Sequence, residues 1–391
     1  MSLPNLLYVS DVAVESTLGG ELLLYRLLRK YPSDRLTIAQ SNVGRSSPEE
    51  RLPNVQYERY AFANTRLLDS RLTRWYGSWL HQKAKWVPSK LKRLVDQVRP
   101  EAILTVWHDY SWLTAARIAR NRELPLHLIL HDDAPNLKFR AHSFLRALHE
   151  GDFGRVYRQA ESRLCVSPAM ERVYEARYGV SGTVLYPARG WEAAHYERPP
   201  ERIKQGGELT IGYAGALHAP GFKRGLEKVA EAVAPFNGTV FVYSNAPPEK
   251  TKRESWVKDN VKIKKFVHPE NIVRELRESV DVLFAVSSFD GNYRKIAKTN
   301  FQSKMVDYTA TGLPILLWGP EDSSTIRWAR EKTGTAEVVT SPNTDDLQNA
   351  VEQLVTHPEL RYEYGRTALK IGDRCFSAEE AWSTFSEAVS E

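Results

Sequence analysis

"TNFQSKMVDYTATGLPILLWGP", residues 299–320, reads as a loop, a short helix, a Gly-Leu-Pro corner and an apolar strand. Lys304 and Asp307 stand at i and i+3 on that helix, so their side chains emerge on one face. A surface ion pair would use this spacing. A phosphate beside a pair of sugar hydroxyls would use it equally well.

Working outward, the stretch belongs to the second of two series of short apolar runs. The first series is "LLYVS" (6–10), "RLTIAQ" (35–40), "VQYERY" (55–60), "AILTVW" (102–107), "LHLIL" (126–130) and "RLCVS" (163–167). The second is "LTIGYAG" (209–215), "TVFVYSN" (239–245), "VKIKKF" (261–266), "DVLFAVSS" (281–288), "PILLWG" (314–319) and "AEVVTS" (336–341). Continuous β-rich runs separated by amphipathic helical patterns are the signature of parallel sheets covered on both faces. The segment "RPPERIKQGGE" (198–208), rich in Pro, Gly and charge, separates the series as a linker does. The expected fold class is therefore α/β with two doubly wound Rossmann-like domains, which 391 residues accommodate. Expected boundaries are 1–182, 183–375 and a C-terminal helix, 376–391, that packs back on the N-terminal domain. Ser377 is the expected N-cap of that helix, with Glu380 as its capping-box partner.

Composition narrows the function classes. A hydrophobic fraction of 42% with 26% charged residues suits globular domains with ordinary cores. Two cysteines, Cys165 and Cys375, argue against a disulfide framework or a cysteine-rich metal site, and for a reducing cytoplasm. "MSLPNLLYVSDVAVES" lacks a basic n-region and a long apolar core, so it reads as a first strand and not as a signal peptide. No run approaches the length of a membrane-spanning helix. The net charge of +6 favours anionic partners without choosing among nucleotide, nucleic acid and lipid.

Ligands of doubly wound sheets bind beyond the carboxyl ends of the strands, so post-strand residues carry the candidate chemistry. After the first strand, Gly19 and Gly20 open a helix; such a pair admits an anion to the backbone amides, or simply supplies a turn of positive φ. "WHDYSW" (107–112) and "LHDDAPN" (130–136) each place His-Asp after a strand, giving His108, Asp109 and His131 as candidates. For His131 the following acids and Pro135 mark a loop and not a core. No further His or Glu falls at ligand spacing around "HDD", so no metal site is expected. In "IGYAGALHAPGFKRGLEK" (211–228), Lys223 and Arg224 stand near a helix start. The helix dipole disfavours cations there, which points to a shared anion or to a solvated charge pair.

On these motifs the chain resembles the GT-B fold glycosyltransferases of the family 4 type, retaining enzymes that use nucleotide-sugars. "GGELLLYRLL" resembles the first loop and helix of that family, and "SPAMERVYEARYG" with "VLYPARG" resembles the lead into its second domain. "FQSKMVDYTATGLPILLWGP" is similar to the branch with a PSK-like motif. The resemblance covers the whole chain and implies two Rossmann-like domains facing a cleft. It implies a hexosyltransferase that moves a sugar from a nucleoside diphosphate, UDP- or GDP-linked, to a glycan, lipid-linked or other acceptor, with no metal or other cofactor. Asp307 would accept hydrogen bonds from the ribose hydroxyls. The family's first acidic place is Thr299 here. Thr299, Asn300 and the backbone around Phe301, Gln302 and Ser303 would meet the donor sugar or its phosphates. One of the family's two diphosphate cations falls at Ala216; the other falls at Lys223 or Arg224, and Lys304 would supply the lost charge. His131 matches a histidine near the donor sugar, the expected catalytic position, while His108 and Asp109 are acceptor-side candidates. Two alternatives remain open: a nucleotide-sugar epimerase, and a GT-B protein that binds glycan or nucleotide without turnover.

"RLLDSRLTRWYGSWLHQKAKWVPSKLKR" (66–93) carries eight Lys/Arg against a single acid, Asp69, and its net of +7 exceeds the +6 of the whole chain. Trp75 and Trp79 recur at helical spacing, and Trp86 follows. A basic helix with tryptophans can lie in an anionic membrane surface, with Arg71, Arg74, Lys83 and Lys85 as its charges. It can equally be a domain helix with a tryptophan core face and a solvated basic face. The interfacial reading implies a peripheral protein on the cytoplasmic side of the inner membrane. Nucleic acid is not an expected partner, since no nucleic-acid module is recognisable.

Overall fold

All twelve apolar runs become strands in the computed structural model, which describes residues 3–17, 19–44, 46–133, 146–217 and 220–390. Pro135 lies outside the described residues. The chain divides into two units, Met1–Pro187 with Ala378–Glu391, and Ala188–Ser377.

In the first unit, β1 (Leu6–Ser10), β2 (Leu36–Ser41), β3 (Gln56–Tyr60), β4 (Ala102–Val106), β5 (Leu126–Leu130), β6 (Ser162–Cys165) and β7 (Thr183–Val184) form one sheet, ordered β3-β2-β1-β4-β5-β6-β7. Every pairing is parallel. β1, β2, β4 and β5 are buried at every residue, as coverage by helices on both faces requires. The edge strand β3 exposes Gln56 and Arg59, polar groups that discourage further pairing. The order reverses at β1, so the switch point lies beyond the carboxyl ends of β1 and β4. The terminal helix Ala378–Ser390 belongs to this unit, and Trp382 and Phe385 meet the Tyr31 ring edge-on at 6.2 and 6.4 Å.

In the second unit, β8 (Thr210–Ala214), β9 (Thr239–Tyr243), β10 (Val261–Lys264), β11 (Val282–Val286), β12 (Ile315–Trp318) and β13 (Glu337–Val339) are ordered β10-β9-β8-β11-β12-β13, again all parallel. Its switch point lies beyond β8 and β11. The core joins Ile211, Val240, Val242, Phe284, Val286 and Leu316 from the strands to Leu226 and Val229 from the helix Pro220–Val233. Each such buried aliphatic contributes about 1.5–3 kcal/mol. That helix lies close against β11 because it offers no side chain there. A Cβ on Gly225 would fall 2.7 Å from Val286 Cγ2, and one on Gly221 would meet Ser288.

Residues 198–208 lie within the second unit and are docked onto it, which the linker reading of their composition does not anticipate. The buried Arg361 donates to the carbonyls of Ile203 (2.8 Å) and Gln205 (2.5 Å) and to that of Leu354 (2.6 Å). Arg202 pairs with Asp281. Each nitrogen of this buried guanidinium donates to a backbone carbonyl, two of them in the segment itself, and such charge-assisted bonds tie it down.

Candidate functional site

In the second unit, the helix Lys304–Thr311 buries Met305, Val306 and Tyr308 through Thr311. That pattern leaves Lys304 and Asp307 half-buried on the remaining face. The Tyr308 hydroxyl accepts from Ala214 N at 2.8 Å and reaches Phe284 O at 3.2 Å, pinning the helix to the ends of β8 and β11. Lys304 Nζ lies 3.7 Å from the Tyr213 ring centroid and 5.7 Å from that of Phe222. Gly215, at φ +152°, follows β8, and a Cβ there would be 3.0 Å from Nζ. The absent side chain lets the loop pass the ammonium. Burial pushes the Lys304 pKa down to about 7. Among the described residues no carboxylate pairs with it, so Lys304 and Asp307 are not an ion pair.

Hydroxyls gather beside this helix. Gln302 Nε2 donates to Ser287 Oγ (2.8 Å), Ser287 Oγ meets Ser323 Oγ (3.1 Å), and Gln302 N donates to Thr325 Oγ1 (3.1 Å). Ser287, Ser288, Ser323, Ser324 and Thr325 are all buried. Gln302 Oε1 is buried with no partner, leaving one acceptor for an incoming donor. Gly319 makes the packing possible, since a Cβ there would lie 2.6 Å from Ser287 Cβ.

The other residues expected around the donor fall into different surroundings. Thr299 is buried and donates to Ile296 O at 3.3 Å, with Asn300 Oδ1 3.4 Å away. The Phe301 ring packs on Trp328 and Phe376 at 5.6 and 5.7 Å, so its side chain is core and only its backbone faces the loop. Ser303 is exposed at the helix start without a side-chain cap bond. Lys223 pairs with Glu254, and Arg224 with Asp290 at 3.0 Å. Both cations thus carry carboxylate partners, where Lys304 carries none among the described residues.

The first unit builds a separate cluster at its own switch point. Gly19 is the N-cap of the helix Gly20–Leu28 at φ +62°, which glycine adopts without strain. A Cβ on Gly20 would lie 3.6 Å from His131 Nδ1, which brings the glycine pair and the post-β5 histidine together. His108 Nδ1 is 3.4 Å from Asp109 Oδ2. Burial would lower the His108 pKa, but Asp109, aided by Asp11 and Asp132, outweighs it and holds the pKa at about 9. Burial, reinforced by the charge on His108, pushes His131 down to about 4. The pair is therefore one imidazolium beside one neutral imidazole at neutral pH.

Asp11 organises this cluster. It accepts from Tyr110 N (2.6 Å), Ser111 N (2.7 Å), Ser111 Oγ (2.6 Å) and Ser41 Oγ, tying the ends of β1 and β2 to the helix Ser111–Arg122. Burial and then Asp109 raise its pKa, opposed by the bonds from Ser111 and Ser41. The same post-strand rule that singles out His108 points to Asp11 and, after β11, to Ser287. Among the described residues no group of three or more His, Cys, Asp or Glu is arranged to hold a metal ion.

The basic stretch spans the helix Thr73–Lys83, the short helix Thr65–Leu68 before it and the first turns of the helix Ser89–Val98 after it. Trp75, Trp79 and Trp86 are exposed, so the tryptophans are not core. Arg71 and Arg74 are exposed as well. Lys83 donates to Phe62 O at 2.7 Å, and Lys85 pairs with the buried Asp152 at 2.7 Å. No helix among the described residues is long and apolar enough to cross a membrane.

Two parallel sheets of seven and six strands, each flanked by helices with its own switch point, define a GT-B fold. The solved structure of HepE from Anabaena in complex with UDP shares it, with a TM-score of 0.70 at 14% identity over 98% of this chain and 99% of that one. Sucrose-phosphate synthase from Thermosynechococcus elongatus gives 0.69 at 14% identity, over 98% of this chain and 97% of that one. The lipopolysaccharide outer core galactosyltransferase WaaB gives 0.64 at 14% identity, over 98% of both chains. No family model matches the chain, and no curated protein matches it.

Proposed function

We propose that the chain is a hexosyltransferase of the retaining type that takes its sugar from a nucleoside diphosphate, uridine-linked by preference. The carrying observation is Lys304: a desolvated ammonium at the switch point of the second unit, without a carboxylate partner among the described residues, one helical turn from Asp307. A diphosphate restores the charge that burial disfavours, and a carboxylate at i+3 suits paired ribose hydroxyls. HepE was also solved with UDP-glucose, and the fold neighbours named above include a galactosyltransferase and a sucrose-phosphate synthase. These names support the donor class.

In this reading the bond from sugar C1 to the phosphate oxygen breaks and a bond from C1 to the acceptor oxygen forms on the same face. The acceptor proton ends on the leaving phosphate. Lys304 and the amides of the loop stabilise the charge gathering on the diphosphate, the largest contribution a fixed site can make. Gln302, with its unpartnered Oε1, orients a sugar hydroxyl. His131, neutral at working pH, is a hydrogen-bonding candidate for a sugar hydroxyl, and the His108–Asp109 pair is the acceptor-side candidate. The expected donor residues Lys223 and Arg224 then act at longer range, as each has its own carboxylate.

A second reading, binding without turnover, draws on Thr299, which is buried where the resembling family has an acid. Release of UDP from UDP-glucose separates the two. Slow acceptor-independent hydrolysis that Lys304→Met reduces is expected; tight UDP-glucose binding with no release would favour the binding protein.

A further inference from the structure

We propose that the helix Thr73–Lys83 and its flanking turns dock the protein onto an anionic lipid bilayer. Leu72, Trp75, Trp79 and Trp86 are 57, 62, 52 and 76% exposed, four of the seven large hydrophobic side chains exposed among the described residues. Leu72, Trp75 and Trp79 recur at i, i+3 and i+7, so they form one stripe, while Gly77, Ser78, Leu80 and His81 are buried on the other side. An ordinary surface helix turns its polar face outward. This one turns out its tryptophans.

The stripe is held rigidly. Tyr76 stacks on Trp79 at 5.5 Å, and its hydroxyl accepts from Asn64 N at 2.6 Å. Lys83 Nζ lies 5.0 Å from the Trp79 ring centroid. From the buried side, His81 Nε2 bonds Asp152 Oδ2 at 2.8 Å, and Lys85 reaches the same oxygen at 2.7 Å. These bonds also determine which charges face outward. Lys85 is part of the scaffold, whereas Arg66, Arg71 and Arg74 are exposed and have no carboxylate partner among the described residues.

Charge selects the occupant. A second copy would bring the exposed, carboxylate-free Arg66, Arg71 and Arg74 against the same three arginines, whereas an anionic membrane attracts the arginines and accepts tryptophan at the headgroup level. The helix is joined to the helix Ser111–Arg122, which follows the His108 loop: the Trp112 ring lies 6.2 Å from that of His81, and Thr114 donates to Ala84 O at 2.8 Å. If the His108 side receives the acceptor, as proposed above, a membrane-borne acceptor is presented beside it. The docking itself is independent of that reading.

The test is co-sedimentation of the full chain with phosphatidylcholine vesicles, with and without phosphatidylglycerol, read alongside tryptophan fluorescence. Binding is expected only to the anionic vesicles, with a blue shift, and it should weaken as salt screens the arginines. Each exposed basic residue contributes about fivefold, so Arg66→Gln, Arg71→Gln and Arg74→Gln together should reduce binding roughly a hundredfold. Trp75→Ala, Trp79→Ala and Trp86→Ala together should abolish the blue shift. Both variants should bind UDP as the wild type does, which checks their folding and separates this inference from the donor reading. Absence of binding to anionic vesicles at low salt would overturn it, as would a solution dimer that the tryptophan variant dissolves.

Discussion

Lys304 holds its ammonium 3.7 Å from the ring centroid of Tyr213, and among the described residues no carboxylate pairs with it. With a pKa near 7, it loses its proton just where a phosphate ligand needs it charged. UDP affinity should therefore fall by up to about tenfold per unit above pH 7, with about one proton taken up on binding at pH 8. Calorimetry at pH 8 in two buffers of different ionisation enthalpy measures that uptake, and Lys304→Met should abolish it. The sign for the unliganded protein is opposite. The unfolded chain keeps the proton up to its ordinary 10.5, so stability rises from pH 7 towards that value and Lys304→Met flattens the rise.

The two imidazoles of the first unit should titrate on opposite sides of 6.5, His108 near 9 and His131 near 4. Raised binding of a proton means that the His108–Asp109 contribution is fully present below pH 6.5 and lost as pH passes about 9. Imidazole NMR resolves both, and Asp109→Asn should bring His108 down while leaving His131 low.

Helix-to-strand contact in the second unit depends on the missing side chain at Gly225. Gly225→Ala places a Cβ against Val286 and should destabilise by about 1–3 kcal/mol. Gly151, exposed in the helix Arg146–Gln159 with nothing near a new Cβ, should give the reverse, about 0.5–1 kcal/mol of stabilisation on Gly151→Ala. Urea denaturation of the two variants compares them directly.

Asp152 joins His81, Lys85 and Arg155. Burial would raise its pKa, but the bonds from His81 and Lys85 outweigh it and hold the carboxyl well below the usual range. Its contribution is present above the unfolded carboxyl pKa and lost as pH falls below it. Asp152→Asn should cost about 1.5–3 kcal/mol at pH 7 and show a shallower acid transition, measurable by thermal melts from pH 7 to 3.

The strands were legible because buried parallel strands are short, continuous and apolar. β7, two residues long, leaves no periodicity to read. Lys223 and Arg224 show what sequence cannot reach. Their carboxylates, Glu254 and Asp290, lie 31 and 66 residues along the chain, and only folding brings them in. The tryptophan stripe was visible as spacing, but spacing does not say which way a stripe faces. Asp11 and Ser287 needed only the post-strand rule that had already drawn attention to His108.

The helix Lys304–Thr311 is expected to hold a nucleoside diphosphate, with Asp307 on its ribose. Calorimetric titration of UDP into the wild type and Asp307→Ala tests it most directly. Losing a carboxylate acceptor costs about 1.5–3 kcal/mol, so affinity should fall roughly ten- to a hundredfold with an unchanged melting temperature. Unchanged UDP affinity in a folded Asp307→Ala variant would mean that the ribose is held elsewhere.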